Sequence, residues 1–364
     1  MSKSGLLLFI LIFLTTSCLI PSLPVQAKPR TLTVPDYYPT IAAAIGNAKE
    51  GDTIYVKNGT YNETTLEINK TLSLIGEDRS NTIINIYPPI IFGGLSWWLE
   101  PVYTYDRPLK IKANNVRLSG FTITSNSSGS NSSGISRVYG EGSQITDNFI
   151  KTGLHLDKTG HNITRNIIRG GLECGGDASD IVIFNNNLDS IWIIGSGITI
   201  RGNTVFNDGI GIGGYGNTVL ENSIENCRMG IALWGYASNN MIYHNNFVNN
   251  TIQTRLQQRL NLTVGEWDNG PDFGGNFWSD YNGTDADGDG FGDTPYVIDD
   301  DNKDNYPLME PIDIPAPPLE KQELEEKQEL EPEPFPVIHV AVASFVSATV
   351  ASIGLLVYFK KRKH

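Results

Sequence analysis

Aliphatic and polar residues alternate in short runs that recur about every 20 residues between positions 144 and 250. In one recurring unit an aliphatic residue is followed three positions later by asparagine and two positions after that by an apolar residue. Its copies carry Asn148, Asn166, Asn186, Asn203, Asn222 and Asn245. Alternation with a period of two predicts strands with one buried face. Gly, Asn and Asp separate the runs, so each predicted strand is short.

A second unit in the same phase, usually opened by glycine, predicts a further strand in each repeat. Its copies are Leu154-His155-Leu156, Leu172-Glu173-Cys174, Ile191-Trp192-Ile193, Ile210-Gly211-Ile212 and Ile231-Ala232-Leu233. If each repeat makes one turn of a coil, equivalent strands stack about 4.8 Å apart into parallel sheets. Each coil then buries its apolar face only against its neighbours. The pattern predicts an all-β parallel β-helix, a solenoid, because the rival propeller needs repeats of about 40 residues.

The repeated asparagine is predicted to be structural. At a turn its side chain can hydrogen-bond backbone groups of adjacent coils, and asparagine tolerates the left-handed backbone conformation that turns need. We therefore expect the six asparagines to stack in one file.

The segment before the repeats predicts a short helix followed by strands: Ile41-Ala42-Ala43-Ala44-Ile45, Gly51-Asp52-Thr53-Ile54-Tyr55-Val56 and Gly59-Thr60-Tyr61. This order closely resembles the opening of pectin-lyase-like right-handed β-helices. The resemblance implies a right-handed parallel β-helix with an N-terminal capping helix over the exposed end of the core. An uncovered apolar column would be an aggregation edge.

After the repeats comes the run Gly275-Asn276-Phe277-Trp278-Ser279-Asp280-Tyr281, followed by an Asp- and Gly-rich loop and Tyr306-Pro307-Leu308. This run is similar to the closing segment of NosD-like β-helix proteins, common on archaeal surfaces, and the whole resemblance covers about residues 31–310. The family's founding members are periplasmic factors linked to copper-site assembly in nitrous oxide reductase. Copper sites need clustered His, Cys or Met, whereas His155, His161 and His244 are scattered. Copper is therefore not expected, and a copper-related accessory role is the last alternative.

Both ends of the chain carry targeting patterns. Residues 1–27 predict a signal peptide, with a short apolar run and Val25-Gln26-Ala27 as a cleavage site; a retained N-terminal anchor is the alternative. Residues 337–359 predict one C-terminal transmembrane helix. The basic tail 360–364 stays on the cytoplasmic side, so the rest lies outside. Residues 311–336, rich in Pro and Glu, predict a stalk that carries the β-helix domain 28–310 at the cell surface.

The formal net charge of -13 argues against a nucleic-acid partner, because phosphate binding needs clustered Lys and Arg. Sequons for N-glycosylation, which suit a secreted glycoprotein, start at Asn58, Asn62, Asn69, Asn126, Asn131, Asn162, Asn249, Asn261 and Asn282. Which of them carry a glycan stays open.

An acidic loop predicts a structural Ca²⁺ site. Asp285, Asp287, Asp289 and Asp293 occupy the first, third, fifth and ninth positions of an EF-hand-like loop, with Gly290 at the sixth. Tyr296 replaces the Glu at the twelfth position, so Asp299 or Asp301 is a candidate to complete the shell. A solvated acidic loop without an ion is the alternative.

One outer face combines groups that suit carbohydrate. In the predicted register His155, Glu173 and Trp192 lie on successive coils, with Asp157 and Trp234 two positions further along their strands. Indoles stack on sugar rings, and paired carboxylates can act as acid and base when their separation is about 5 to 9.5 Å. His155, Asp157 and Glu173 are therefore the catalytic candidates, and Trp192 and Trp234 the ligand-binding candidates. An ordinary mixed surface is the alternative.

Two further features are structural in this interpretation. The insertion 87–108 holds Trp97, Trp98, Tyr103 and Tyr105, which either pack on the solenoid or bind a partner. Cys174 and Cys227 lie about three coils apart, roughly 14 Å by strand spacing, so no disulfide is expected.

Three functions follow from these patterns. The first is a membrane-anchored extracellular protein that binds glycan or cell-envelope components, such as polysaccharide or surface-layer material. The second is an anchored polysaccharide lyase or hydrolase. The third is the copper-related accessory factor.

Overall fold

Alternating inward and outward side chains build a solenoid, whose computed structural model describes residues 28–95, 101–126, 135–258 and 265–315. These residues all belong to one of the chain's two compact units, 1–318. In a typical strand, Ile54 and Val56 are fully buried while Thr53 and Tyr55 are partly exposed. The binary pattern therefore works as predicted, with the aliphatic side chains inside the coil.

The described residues form one α-helix, α1 (Ile41–Asn47), and 32 strands. The strands of the first half are β1 (Thr31–Val34), β2 (Thr53–Val56), β3 (Gly59–Glu63), β4 (Leu66–Ile68), β5 (Ser73–Gly76), β6 (Thr82–Ile86), β7 (Ile90–Leu95), β8 (Pro101–Tyr105), β9 (Leu109–Ile111), β10 (Arg117–Ser119), β11 (Thr122–Ser125), β12 (Ser136–Val138), β13 (Gln144–Thr146), β14 (Phe149–Ile150), β15 (Leu154–Leu156) and β16 (Asn162–Thr164). Those of the second half are β17 (Ile167–Ile168), β18 (Leu172–Cys174), β19 (Val182–Phe184), β20 (Asn187–Ile193), β21 (Thr199–Arg201), β22 (Thr204–Ile212), β23 (Thr218–Leu220), β24 (Ser223–Glu225), β25 (Ile231–Gly235), β26 (Asn240–Tyr243), β27 (Asn246–Val248), β28 (Thr254–Gln258), β29 (Gly265–Glu266), β30 (Phe277–Trp278), β31 (Tyr296–Val297) and β32 (Lys303–Asp304).

Two long parallel sheets make up the coil walls. The first sheet stacks 11 strands in the order β1, β2, β5, β10, β13, β16, β19, β21, β23, β26 and β29. The second sheet has 17 strands in two limbs. Its first limb runs through β3, β6, β11, β14, β17, β20, β22, β24, β27 and β30, and its second through β4, β9, β12, β15, β18, β20, β22, β25 and β28. The predicted all-β parallel solenoid is confirmed.

Register keeps like residues above one another. In the second limb, Leu156 pairs with Cys174, which pairs with Ile193. Cys174 therefore takes the place of an aliphatic residue in the core column. Cys174 and Cys227 are both free and buried, in agreement with the expectation of no disulfide between them.

The predicted asparagine file is confirmed and is longer than expected. All six asparagines and also Asn276 are fully buried. At a representative rung, the backbone N–H and Nδ2 of Asn186 donate to Oδ1 of Asn203 at 2.9 and 3.0 Å. Nδ2 of Asn186 also donates to the carbonyl of Ile163 at 2.8 Å. Each amide thus links three coils, which satisfies polar groups that burial would otherwise leave unpaired.

The left-handed residue is not the asparagine but its predecessor, which corrects one part of the prediction. Positive φ angles occur just before the file at Asp147, Arg165, Asn185, Gly202, Glu221 and His244. Residues other than glycine adopt this conformation infrequently, although Asp, Asn and His do so more often than the rest. The hydrogen bonds of the asparagine that follows hold each turn in this conformation and offset its conformational energy.

The file ends on a carboxylate. The backbone N–H of Asn276 donates to Oδ2 of Asp304 at 2.7 Å, and Nε1 of Trp278 donates to the same oxygen at 2.8 Å. Asp304 is fully buried, and burial raises its pKa to about 6 despite these hydrogen bonds. Asp304 therefore occupies the position that the next asparagine would hold.

Side chains from neighbouring coils complement both ends of α1. Oε1 of Glu63 accepts from the backbone N–H of Ile41 at 2.7 Å. Nζ of Lys70 donates to the carbonyls of Ile45, Gly46 and Ala48. A negative group at the start and a positive group at the end both oppose the helix dipole.

An aromatic stack lies at the C-terminal end of the core. The ring centroids of Phe247 and Trp278 are 4.4 Å apart, those of Trp278 and Tyr296 are 4.3 Å apart, and the rings are nearly parallel. Stacking of this kind adds to the burial energy of the rings. The closing segment is also tied back at Asn246, whose Nδ2 donates to the carbonyl of Ile312 at 2.8 Å.

The insertion 87–108 contains an antiparallel pair, β7 and β8. Tyr103 and Tyr105 lie in β8, whereas Trp97 and Trp98 fall outside the described residues. The predicted signal peptide, most of the stalk, and the predicted span 337–359 also fall outside them. Within the described part of the chain, no helix combines the length and the apolar character needed to span a membrane.

Candidate functional site

One file of outward side chains follows the second limb. The register pairs Lys110 with Arg137, Arg137 with His155, His155 with Glu173, and Glu173 with Trp192. The structure thus places His155, Glu173 and Trp192 on successive coils. Lys110 and Arg137 extend the same file, and we call Lys110, Arg137, His155 and Glu173 the charged file.

His155 bridges two carboxylates. Its Nδ1 lies 3.0 Å from Oε2 of Glu173, and its Nε2 lies 3.2 Å from Oδ1 of Asp157. The imidazole of His155 therefore lies between the carboxyl groups of Asp157 and Glu173, the two residues predicted to act as acid and base.

Arg137 fixes Asp157 from the coil before. Its Nε and an Nη atom donate to the two oxygens of Asp157, both at 2.6 Å. This bidentate geometry is among the strongest side-chain pairings. The guanidinium of Arg137 also lies over the ring of Tyr139, 5.2 Å from its centroid.

Both carboxylates are held in the ionised form. Burial raises the pKa of Asp157, but the hydrogen bonds and charge of Arg137 outweigh it, and the net pKa is lowered. The hydrogen bond from His155 lowers the pKa of Glu173. A glycosidase general acid needs a raised pKa, so this geometry suits ionic recognition better than proton donation.

Two indoles on the same face cover Gly211, within β22, and Gly213, the residue that follows β22. A Cβ on Gly211 would lie 2.4 Å from the ring of Trp192, and a Cβ on Gly213 would lie 2.9 Å from the ring of Trp234. Gly211 pairs with Trp192 in the register. Side chains at these glycines would displace the rings, so their absence lets the indoles lie against the backbone. We call Trp192 and Trp234 the indole platform.

Sequence reasoning missed Arg137 and the two glycines. Arg137 follows a stretch, 127–134, that interrupts the repeat, so its register with His155 was not visible. Gly211 occupies the outward position of its unit, where other copies carry His155, Glu173 or Trp192. The missing side chain at that position was the signal in the sequence that could have indicated the contact.

The acidic loop brings three of its four predicted ligands together. Carboxylate oxygens of Asp285, Asp287 and Asp289 lie within 4.8 Å of one another. Asp285 also accepts from the backbone N–H of Gly288 at 2.7 Å and of Gly290 at 3.0 Å. The loop is therefore wrapped around the carboxylate at its first position.

The remaining acidic candidates lie elsewhere. Asp293 accepts from Oγ1 of Thr284 and the backbone N–H of Ala286, at 3.1 and 3.0 Å. Asp299 accepts from the backbone N–H groups of Asp301 and Asn302 in the turn between β31 and β32. Three carboxylates with open coordination positions match the hard oxygen ligands that Ca²⁺ prefers.

Soft donors do not gather in the described residues. Burial raises the pKa of the Cys174 and Cys227 thiols to about 12, which keeps them protonated. His161 is buried with a pKa lowered by burial to about 4, and its Nδ1 accepts from the backbone N–H of Ser143. Both ring nitrogens of His155 face carboxylates. Copper needs clustered soft or imidazole donors, and this donor set does not fit it.

Solved structures with a similar shape are distant. A pectin methylesterase bound to a hexasaccharide is 15% identical over 65% of this chain and 94% of its own, with a TM-score of 0.43. The carrot enzyme is 12% identical over 70% and 89%, with a TM-score of 0.41. PemA from Erwinia chrysanthemi is 15% identical over 57% and 81%, with a TM-score of 0.37. Likeness at this level carries no argument about activity.

Sequence comparison gives the family. No curated protein sequence matches this chain. The family model described as periplasmic copper-binding protein (NosD) matches residues 101–283, half of the 364-residue chain. This stretch includes the charged file and the indole platform, and the chain belongs to the NosD family.

Proposed function

We propose that this protein is a cell-surface solenoid that binds glycans or other cell-envelope components through the face formed by the charged file and the indole platform. The observation that carries the proposal is the placement of the Trp192 and Trp234 rings against Gly211 and Gly213, where any side chain would collide with them. Indole rings offer the apolar surface on which sugar rings stack.

The charged file complements that platform. Glu173 pairs with Trp192 across adjacent coils, so a ligand on the indole also reaches a carboxylate. Arg137, Asp157 and His155 hold one another through ionic hydrogen bonds, which keeps their side chains oriented before a ligand arrives. Preorganised polar groups beside an aromatic surface lower the entropy lost on binding.

The experiment applies the full-length chain in detergent to an array of neutral and acidic oligosaccharides and to purified cell-envelope polysaccharide. Trp192→Ala and Trp234→Ala are each expected to weaken binding by about tenfold, or roughly 1.4 kcal/mol. Phe184→Ala is the matched control, because Phe184 is an exposed aromatic residue on the first sheet. Binding that survives both tryptophan substitutions contradicts the proposal, as does the absence of binding to every probe.

The same face also supports the alternative of a polysaccharide lyase or hydrolase around His155, Asp157 and Glu173. The lowered pKa values of Asp157 and Glu173 favour binding over acid catalysis. A panel of polysaccharides incubated with the full chain tests this alternative. Cleavage that disappears in the His155→Ala, Asp157→Ala and Glu173→Ala triple variant would establish an enzyme.

The location forms part of the proposal. Residues 1–27 would direct export, residues 337–359 would anchor the chain, and 311–336 would hold the solenoid away from the membrane. A family model described as periplasmic agrees with an extracytoplasmic site. Protease added to intact cells should degrade the solenoid, and removal of 337–364 should release it into the medium. A protected solenoid would contradict this location.

We also propose that α1 is the N-terminal cap of a right-handed coil. Ile41, Ala44 and Ile45 are buried in the same core cluster as Ile54 and Leu66. Covering the first coil in this way would block association of exposed strand edges.

Ca²⁺ is the proposed structural cofactor of the acidic loop. Asp285, Asp287 and Asp289 would supply the ligands. The loop lies between Tyr281 and Tyr296, whose rings contact each other at the end of the core. Ca²⁺ should therefore raise the melting temperature, and EGTA or Asp285→Asn should abolish the increase. Asp272→Asn, an exposed control, should retain it.

A copper-related accessory role is the least supported alternative. It is considered because the family model is described as a periplasmic copper-binding protein. The His and Cys side chains described above do not favour copper binding. Metal analysis of the purified chain tests it directly, and stoichiometric copper would support this role.

A further inference from the structure

The sequon asparagines of this chain share one property. Nine sequons occur in the sequence. Two of them, at Asn131 and Asn261, fall outside the described residues. The asparagines of the other seven are all exposed: Asn58, Asn62, Asn69, Asn126, Asn162, Asn249 and Asn282.

Their reactive atom is also free of bonds to other described residues. N-glycosylation takes place on Nδ2, and none of the seven donates from Nδ2 to another part of the described structure. Asn58 and Asn62 use Oδ1 instead, which accepts from Oγ1 of Thr82 at 3.2 Å and from Nδ2 of Asn85 at 3.3 Å. A glycan replaces one N–H of Nδ2 and leaves Oδ1 as an acceptor, so these bonds would survive modification.

The buried asparagines show the opposite arrangement. Eleven asparagines are buried among the described residues, and none begins a sequon. Asn203, Asn217 and Asn222 have Thr or Ser one position later, not two. In the asparagine file Nδ2 is fully used, as at Asn186, where it donates to three oxygens. A glycan there would break the core.

The seven exposed positions are spread over several parts of the described chain. Asn162 lies in the first sheet, Asn58 precedes β3 and Asn62 lies within it. Asn69 follows β4, the first strand of the second limb, Asn126 and Asn249 follow the first-limb strands β11 and β27, and Asn282 lies in the closing segment. None lies in the second-limb strands that carry the charged file or the indole platform.

We propose that the natural protein carries N-linked glycans on a majority of these seven asparagines, and that they leave the face of the charged file and indole platform bare. In the reaction, Nδ2 forms a bond to the anomeric carbon of a lipid-phosphate-linked oligosaccharide. The bond from that carbon to the phosphate oxygen breaks, the lipid phosphate leaves, and Nδ2 loses one proton. The inference rests on the extracytoplasmic location and defines the surface that stays accessible to a ligand.

Site-by-site mass spectrometry of the full chain, purified from its natural host, tests this inference. Glycopeptides are expected at most of the seven positions and at none of the eleven buried asparagines. Thr164→Ala should remove the glycopeptide of Asn162 alone, and Thr164→Ser, which retains the sequon, should preserve it. Neither variant should shift the melting temperature by more than a few degrees, because Thr164 is only half-buried at the surface.

The outcomes separate this inference from the proposed location. Unmodified sequons on a chain that external protease degrades in intact cells would overturn the inference and leave the location standing. A glycan on any asparagine of the buried file would also overturn it. A chain that external protease cannot reach would contradict the location instead.

Discussion

The backbone N–H of Asn276 lies 2.7 Å from Oδ2 of Asp304, and this bond closes the asparagine file. Each earlier asparagine of the file donates from its backbone N–H and its Nδ2 to Oδ1 of the next asparagine, as Asn245 does to Asn276 at 3.1 and 2.9 Å. The carboxylate of Asp304 accepts the hydrogen bonds from Asn276, so no further asparagine is needed after it. The closing segment therefore completes the hydrogen bonding of the core as well as covering it.

Asp304→Ala should destabilise the protein more than Asp304→Asn. Alanine leaves the backbone N–H of Asn276 and Nε1 of Trp278 without their acceptor, and each buried unpaired donor costs about 1–3 kcal/mol. Asparagine restores one acceptor oxygen. Denaturant unfolding of both variants measures the difference, and equal losses would show that the carboxylate does not close the file.

Stability should depend on pH through Asp304. Its pKa is raised from 3.8 to about 6 in the folded chain, so the folded state binds the proton more tightly. The resulting stabilisation is fully present below about pH 4 and is lost as the pH rises through 6. A shift of this size corresponds to roughly 3 kcal/mol.

Comparison with Asp304→Asn isolates this effect from other carboxylates. Asp52 acts in the opposite direction, since the hydrogen bond from Arg30 lowers its pKa to about 2, and its stabilisation is lost as the pH falls toward 2. The stability of the wild type relative to Asp304→Asn should fall between pH 4 and 7. A constant difference over that range would contradict the assignment.

Asn186→Ala should cost about 3 kcal/mol or more, because the backbone N–H and Nδ2 of Asn166 lose their buried acceptor Oδ1 and the carbonyl of Ile163 loses its buried Nδ2 donor. Asn162→Ala is the matched control, because Asn162 is exposed in the next coil toward the N-terminus, and such surface changes usually stay within about 0.5 kcal/mol. Chemical denaturation of the two variants provides the measurement. Similar losses would mean that the file contributes little.

Lys70→Met should destabilise the N-terminal end by about 1–2 kcal/mol, since charged hydrogen bonds to the last carbonyls of α1 are removed. Lys49→Met is the control, because Lys49 is exposed close to the same helix end. Hydrogen exchange of the α1 amides should rise in the first variant alone. Unchanged exchange in Lys70→Met would show that the ammonium group does not hold the helix.

The repeat made most of the fold predictable. A period near 20 and the alternation within each unit were enough to place Leu154, Leu172 and Ile191 in one buried column and His155 and Glu173 on the opposite side. Local pattern determines these positions, because a shift of one residue would turn every apolar side chain outward.

Features that depend on irregular spacing were not predictable in this way. Asn276 lies 31 residues after Asn245, so the repeat period of about 20 residues does not predict its place in the file. Asp304 lies in an acid-rich run that suggests a solvated loop, yet tertiary packing buries it. The left-handed residues were misassigned because asparagine itself favours that conformation, while the file requires its amide elsewhere.

The most direct test of the account is disulfide trapping across the second limb. Residues 155 and 173 pair directly in the register, so their Cα atoms should lie about 4.8 Å apart, within the range that a disulfide bridges. His155→Cys with Glu173→Cys should therefore form an intrachain disulfide under mild oxidation. His155→Cys with Trp192→Cys, which spans two coils, should remain reduced. A disulfide in the second variant and none in the first would contradict the register, and with it the arrangement of the charged file and the indole platform.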